Sequence, residues 1–289
     1  MARRIALVLS VGLVLAACTS RSQELQIPPQ GTAASTAGLE TAAIRETVME
    51  FLEAYARSGD TVEPLQRLVA GPELRDWVHW LGVQNRHLEQ ATGELEVRAV
   101  RILQVRGDVA AAALEATVTF TFVAERDDEE ATIPRSFQSP VILTRRDEPG
   151  SWAVVDVVRD GRSMTDSITV FDPPVSARSN GFVVEAVSVY RFTSGTVINL
   201  RMRNAGTGPV RIDRERSVLH VSGQPVRPLG TTRTLSRHLP LDDPVQGAFD
   251  FPGVELSAVP DGMLLRFHGD REPVTLAFPA EAFAEADGA

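Results

Sequence analysis

The chain contains no lysine: all 29 of its basic residues are arginine, set against 38 acids for a formal charge of −9. That absence removes Schiff-base catalysis, the lysine of a phosphate-binding loop and any Ser-Lys nucleophile pair. Cysteine is nearly missing as well. Cys18 stands alone, so neither a disulfide framework nor a cysteine-based zinc site can form. The five histidines are His79, His87, His220, His238 and His268, and none has the His-Glu-x-x-His spacing of a zinc helix. No Gly-x-Ser-x-Gly elbow occurs, and Gly206-Thr207-Gly208 runs into Pro209 without the third glycine of a dinucleotide fingerprint. These gaps predict a protein without catalytic role, metal or cofactor. What remains is 289 residues, 43% hydrophobic and 23% charged, an ordinary globular composition with room for two domains.

The N-terminus carries Arg3-Arg4, the apolar run Ile5 to Val14, and Leu15-Ala16-Ala17-Cys18. Those are the parts of a cleaved secretory signal. The run is too short for a lasting span, which needs about 20 residues. Leu-Ala-Ala-Cys resembles the bacterial lipobox, and the only cysteine stands at its modified position. The resemblance implies a signal peptide over 1–17, a lipidated Cys18 and a protein anchored on the extracytoplasmic face of the cell membrane, where two acyl chains suffice for stable attachment. The following segment to residue 38 is rich in Ser, Thr, Gln, Gly and Pro without apolar period, so 18–38 reads as a disordered tether.

From 39 to 172 the pattern reads as helices followed by strands. Ile44, Val48, Phe51, Leu52 and Tyr55 fall on one helical face, with Gly59 as a left-handed stop. Asp60 or Thr61 can cap a short second helix with Pro64 in its first turn, and Gly71-Pro72 starts a third through Leu74, Trp77, Val78, Leu81 and Leu88. Strands are expected over 95–105, 114–122, 137–145 and 152–159. In the second of these Leu114, Ala116, Val118, Phe120 and Phe122 alternate with polar residues. Helices on one face of a curved antiparallel sheet make an α+β domain. With its last strand Trp152-Ala153-Val154-Val155-Asp156-Val157 ahead of Asp160-Gly161-Arg162-Ser163-Met164, this order resembles the cone-shaped nuclear transport factor 2-like superfamily. That superfamily includes ketosteroid-isomerase-like enzymes and many non-enzymatic domains.

Asp172-Pro173-Pro174 breaks the pattern and marks 173–180 as a linker. Over 181–279 only short strands with Gly and Pro turns remain, which indicates a β-sandwich, with 280–289 as a flexible tail. Asn199-Leu200-Arg201-Met202-Arg203-Asn204-Ala205-Gly206, with Val259-Pro260-Asp261-Gly262-Met263-Leu264-Leu265-Arg266-Phe267 much later, resembles the telokin-like, immunoglobulin-like domain of secreted bacterial proteins. The likeness implies extracytoplasmic binding or scaffolding and brings no catalytic residues.

Two constellations remain. Asp156 shares an alternation face with Trp152, Val154 and Val158; inside an apolar cone its carboxyl would have a raised pKa and could serve as a base. If Ala153, Val155 and Val157 face the core instead, Asp156 meets water. Tyr55, Trp77 and His79 are its possible pocket companions. The second is a charge segregation: residues 191–237 carry nine arginines against two acids, and 238–289 two arginines against ten acids. Arg201, Arg203, Arg211, Arg214 and Arg216 could form a basic face for anionic lipid or a cell-wall polymer, unless strand interleaving mixes the charges. The acidic run Glu125 to Glu130 reads as a solvated hairpin tip. The net acidity argues against nucleic acid as a partner. The sequence thus predicts an α+β cone followed by an all-β immunoglobulin-like sandwich, acting as a membrane-anchored envelope module that engages an envelope protein or cell-wall polymer. A small-ligand carrier or isomerase-like enzyme is the alternative.

Overall fold

The computed structural model describes residues 31–85, 92–123, 130–146, 151–179, 181–192, 195–232, 235, 239–252, 260–269 and 271–283. Helix α1 spans Gly31–Ala56, so the expected tether gives way to helix at residue 31. All five residues of its expected apolar face are buried. The helix runs out through a turn in which the Arg57, Ser58 and Asp60 amides donate to carbonyls three or four residues back, and Gly59 is not in the left-handed region. Helices α2 (Glu63–Leu68) and α3 (Pro72–Asn85) follow.

Five antiparallel strands come next: β1 (Thr92–Arg106), β2 (Val109–Val123), β3 (Glu130–Arg145), β4 (Trp152–Arg159) and the two-residue β5 (Arg162–Ser163), hydrogen-bonded in that order. Leu114, Ala116, Val118 and Phe120 of β2 face inward, into the core they share with α1 to α3. A single turn, α4 (Met164–Ser167), leads to β6 (Ile168–Ser179), β7 (Phe182–Phe192) and β8 (Gly195–Asn204). Then come β9 (Ile212–Val221), β10 (Gln224–Val226), β11 (Gly230–Thr231), β12 (Val245–Phe251), β13 (Pro260–Phe267), β14 (Val274–Ala277) and a 3-10 turn at Ala280–Phe283. They form a central sheet β11-β12-β8-β7-β6 and an outer sheet β10-β9-β13-β14, which face each other across a second core.

Among the described residues strand outweighs α-helix by more than two to one, in three antiparallel sheets with four α-helices. It is a mostly-β protein, not the α+β cone followed by an immunoglobulin-like sandwich that the pattern and both resemblances implied. The reason lies in segments that composition marks as poor strand formers. Ala110 to Ala113 has no period, yet it is buried, with all four residues paired to β1 and the first three also to β3. The supposed linker from Pro173 onward belongs to β6, where Val175 to Ser179 pair with Phe182 to Ala186 after an irregularity at 171–174. Pairing and burial override propensity at such positions.

The central sheet serves both cores. Phe171 and Phe182 point into the second, while Ile168 and Tyr190 belong to the first. Its outward face is divided. Val187 is a bulge between Ala186 and Ser188, and beyond it Ser188, Tyr190 and Asn199 lie buried beneath α3. Arg159 clasps the same junction, its guanidinium 5.5 Å from the Trp77 ring and 4.5 Å from that of Phe192. Among the described residues, no helix packs on the other half of the face, towards Arg178, Val183, Glu185 and Arg203.

Candidate functional site

The expected pocket in the first unit is not assembled. β4 carries a bulge: Ile142 pairs with Asp156 but Leu143 with Val154, leaving Val155 unpaired. One extra residue flips the alternation. Trp152 and Val154 point inward before it and Val157 after it, so the half-buried Asp156 turns away from the core. Neither face anticipated from the sequence is the core throughout. The Asp156 carboxylate caps α4, accepting from the Ser163 hydroxyl at 2.9 Å and the Thr165 amide at 3.1 Å. Ser163 in turn accepts from the Asp166 amide, an N-cap of the usual kind.

Tyr55 and Trp77 do meet, as packing. Their rings stack at 5.5 Å, and Phe120 and Phe137 close edge-on around Tyr55 at 5.3 and 5.0 Å. Contacts of this geometry stabilise a core beyond the area they bury. His79 sits on the exposed side of α3 against the edge of Trp80. Among the four candidates, the stacked pair is the only hydrogen-bonded or ring contact.

The five arginines of the basic face are all exposed, but the fold separates them. Arg201 and Arg203 lie on β8 in the central sheet, whereas Arg214 and Arg216 lie on β9 in the outer sheet and Arg211 just before it. A continuous five-arginine patch is therefore not formed. Arg216 is 3.9 Å from Asp213.

On the bare half of the central sheet a different grouping appears. Arg178, Val183, Glu185, Arg201, Arg203 and Asp242 line an open groove of about 380 Å³, with Pro244 at its wall. Two cross-strand rows build it. Arg178 on β6 and Arg203 on β8 both pair with Val183 on β7, so two arginines flank a short apolar residue. In the next row Glu185 pairs with Arg201, and their charged groups meet at 3.4 Å. Among the described residues the guanidiniums of Arg178 and Arg203 have no ion-pair or hydrogen-bond partner. Of these residues, the sequence pointed only to Arg201 and Arg203. Arg178 sat in the supposed linker, and Glu185 acquires its meaning from the pairing. The alternation of Arg201 and Arg203 along one strand was the one available signal.

Where that face passes under α3 it becomes a buried polar junction. The Tyr190 hydroxyl donates to Asp76 Oδ2 at 2.7 Å, and the Asn199 amide donates to Ser188 Oγ at 2.9 Å. Burial raises the Asp76 pKa, opposed by hydrogen bonds from Ser188 and Tyr190, by the nearby His79 charge and by Trp80. Burial, and then the Asp76 charge, push the Tyr190 phenol well above its ordinary value.

Cys18, His87, His238, Arg233, Arg237 and the acidic residues 125–129 lie outside the described residues. Among the described residues no group of three His, Cys, Asp or Glu converges as a metal site, and no helix is long and apolar enough to cross a membrane. No family model, curated protein or solved structure matches the chain.

Proposed function

We propose that this protein is a lipid-anchored, non-catalytic binding or scaffolding module on the extracytoplasmic face of the cell membrane, its partner an envelope protein or a cell-wall polymer. The lipobox-like Leu15-Ala16-Ala17-Cys18 supports the anchor and the location. The groove flanked by Arg178 and Arg203 carries the binding role, because among the described residues it leaves these two cations without a partner on an open sheet face. The isomerase-like alternative finds less support, since Asp156 turns away from the core and its two oxygens accept hydrogen bonds that cap α4. Proton abstraction would also need donors placed where negative charge develops.

Fractionation of cells expressing wild-type and Cys18→Ala protein tests the anchor. Wild type is expected in the membrane fraction with a lipid-modified Cys18 by mass spectrometry, and the variant is expected released or unprocessed. An unmodified Cys18 in the mature native protein would sink the reading.

A further inference from the structure

We infer that the groove on the bare half of the central sheet binds an anionic polymer whose repeats carry an oxyanion flanked by hydroxyls, with Arg178 and Arg203 gripping the oxyanion from either side. The inference rests on the envelope reading above and names the partner chemistry. Neighbouring strands lie about 4.8 Å apart, so the Cα atoms of Arg178 and Arg203 stand roughly 10 Å from each other across Val183. Two long side chains rising from that row over a short valine can converge on one carboxylate or phosphate, and guanidinium is the side chain that meets such groups with two parallel hydrogen bonds.

The rest of the lining sets the selectivity. Glu185 engages Arg201 at 3.4 Å, which leaves Arg178 and Arg203 as the two cations of the groove turned to the oxyanion. Glu185 and Asp242 place carboxylate oxygens in the same groove, where they accept hydroxyl hydrogens and repel a second closely spaced anion. The lining therefore suits an oxyanion separated from the next by polyol or sugar, and disfavours a densely charged chain. A volume of about 380 Å³ falls at the small end of ligand sites. Because the groove is open, a polymer can lie through it, and its many equivalent repeats compensate for the weakness of each exposed contact.

The test uses full-length, detergent-solubilised protein. Binding is measured to immobilised polygalacturonate, to a poly(glycerol phosphate), and to neutral dextran. The wild type is expected to bind at least one of the two anionic polymers, more weakly as salt rises, and to ignore dextran; the polymer preferred identifies the source of the oxyanion. The double variant Arg178→Ala/Arg203→Ala is expected to lose about tenfold or more in affinity. Arg214→Ala/Arg216→Ala removes equal charge from the outer sheet and is expected to bind as wild type. All four positions are exposed, and matching urea midpoints verify the fold; Arg203→Glu serves as a second groove variant with the same expected loss. Binding to neither anionic polymer, equal binding to dextran, a groove variant as strong as wild type, or equal losses in the two double variants would overturn the inference. Failure here with a lipidated Cys18 leaves the envelope reading standing, whereas groove-dependent binding with an unmodified Cys18 removes the anchor and keeps the site.

Discussion

Removing the Tyr190 hydroxyl tests whether the helical layer and the central sheet are locked by a buried polar bond. Tyr190 is 2% exposed and donates to Asp76 at 2.7 Å from across the junction. Tyr190→Phe deletes the donor and leaves a largely buried carboxylate under-solvated. A hydrogen bond to a charged group contributes about 1.5–3 kcal/mol. At about 2–4 °C per kcal/mol for a chain of this size, a loss of about 2 kcal/mol lowers Tm by roughly 4–8 °C. Asp76→Asn keeps the shape and an acceptor, so it costs less at neutral pH. The pH dependence has a definite sign. Asp76 is raised above its unfolded value by burial, so the folded state holds the proton more tightly and the slope of stability with pH is negative across that window. The stabilisation is complete below the ordinary carboxylate range and is lost as pH rises through the raised value. Wild type should therefore gain on Asp76→Asn as the pH falls through this window. Urea titrations of both single variants and the double variant at several pH values measure the coupling directly. A Tyr190→Phe loss under about 0.5 kcal/mol, or a wild-type advantage that shrinks towards acid, would refute the reasoning.

Asp156→Ala should cost about 1–2 kcal/mol in a urea melt, because it strips α4 of its capping carboxylate, with Asp156→Asn recovering part of the loss. Gly93→Ala should destabilise by about 1–3 kcal/mol, since a Cβ there would lie 2.4 Å from the Ala56 carbonyl at the end of α1; a neutral result would mean that α1 slides freely on β1.

What the sequence made legible was local. The face of α1 and the alternation of β2 are periodic, and period survives folding. Asp156 was ambiguous for a reason that sequence period cannot express: the bulge at Val155 changes the parity of β4 part-way along, and nothing in Trp152 to Val158 marks it. The groove was half legible. Arg201 and Arg203 alternate on one strand, but Arg178 lies 25 residues from Arg203 and joins it only through the β6-β7-β8 register. The proline pair misled because Pro and Asp are depleted from strands, whereas here they occupy the irregular stretch of an edge strand, where unpaired backbone is tolerated. The fold class failed on the same ground. Alanine-rich and proline-bearing segments that read as connections are strand, and they tie both halves of the chain to one sheet.

That shared sheet has a mechanical consequence. Its strands β6 and β7 feed the core beneath α3 at one end and the core facing the outer sheet at the other. Among the described residues, a load passing between α1 and the groove meets no swivel. It crosses from α3 to β7 through the Tyr190–Asp76 bond and the Arg159 clasp, then runs along β6, β7 and β8 as shear, where many backbone hydrogen bonds must yield together. Among the described residues, a pull applied to one half is therefore carried into the other by strands that run through both.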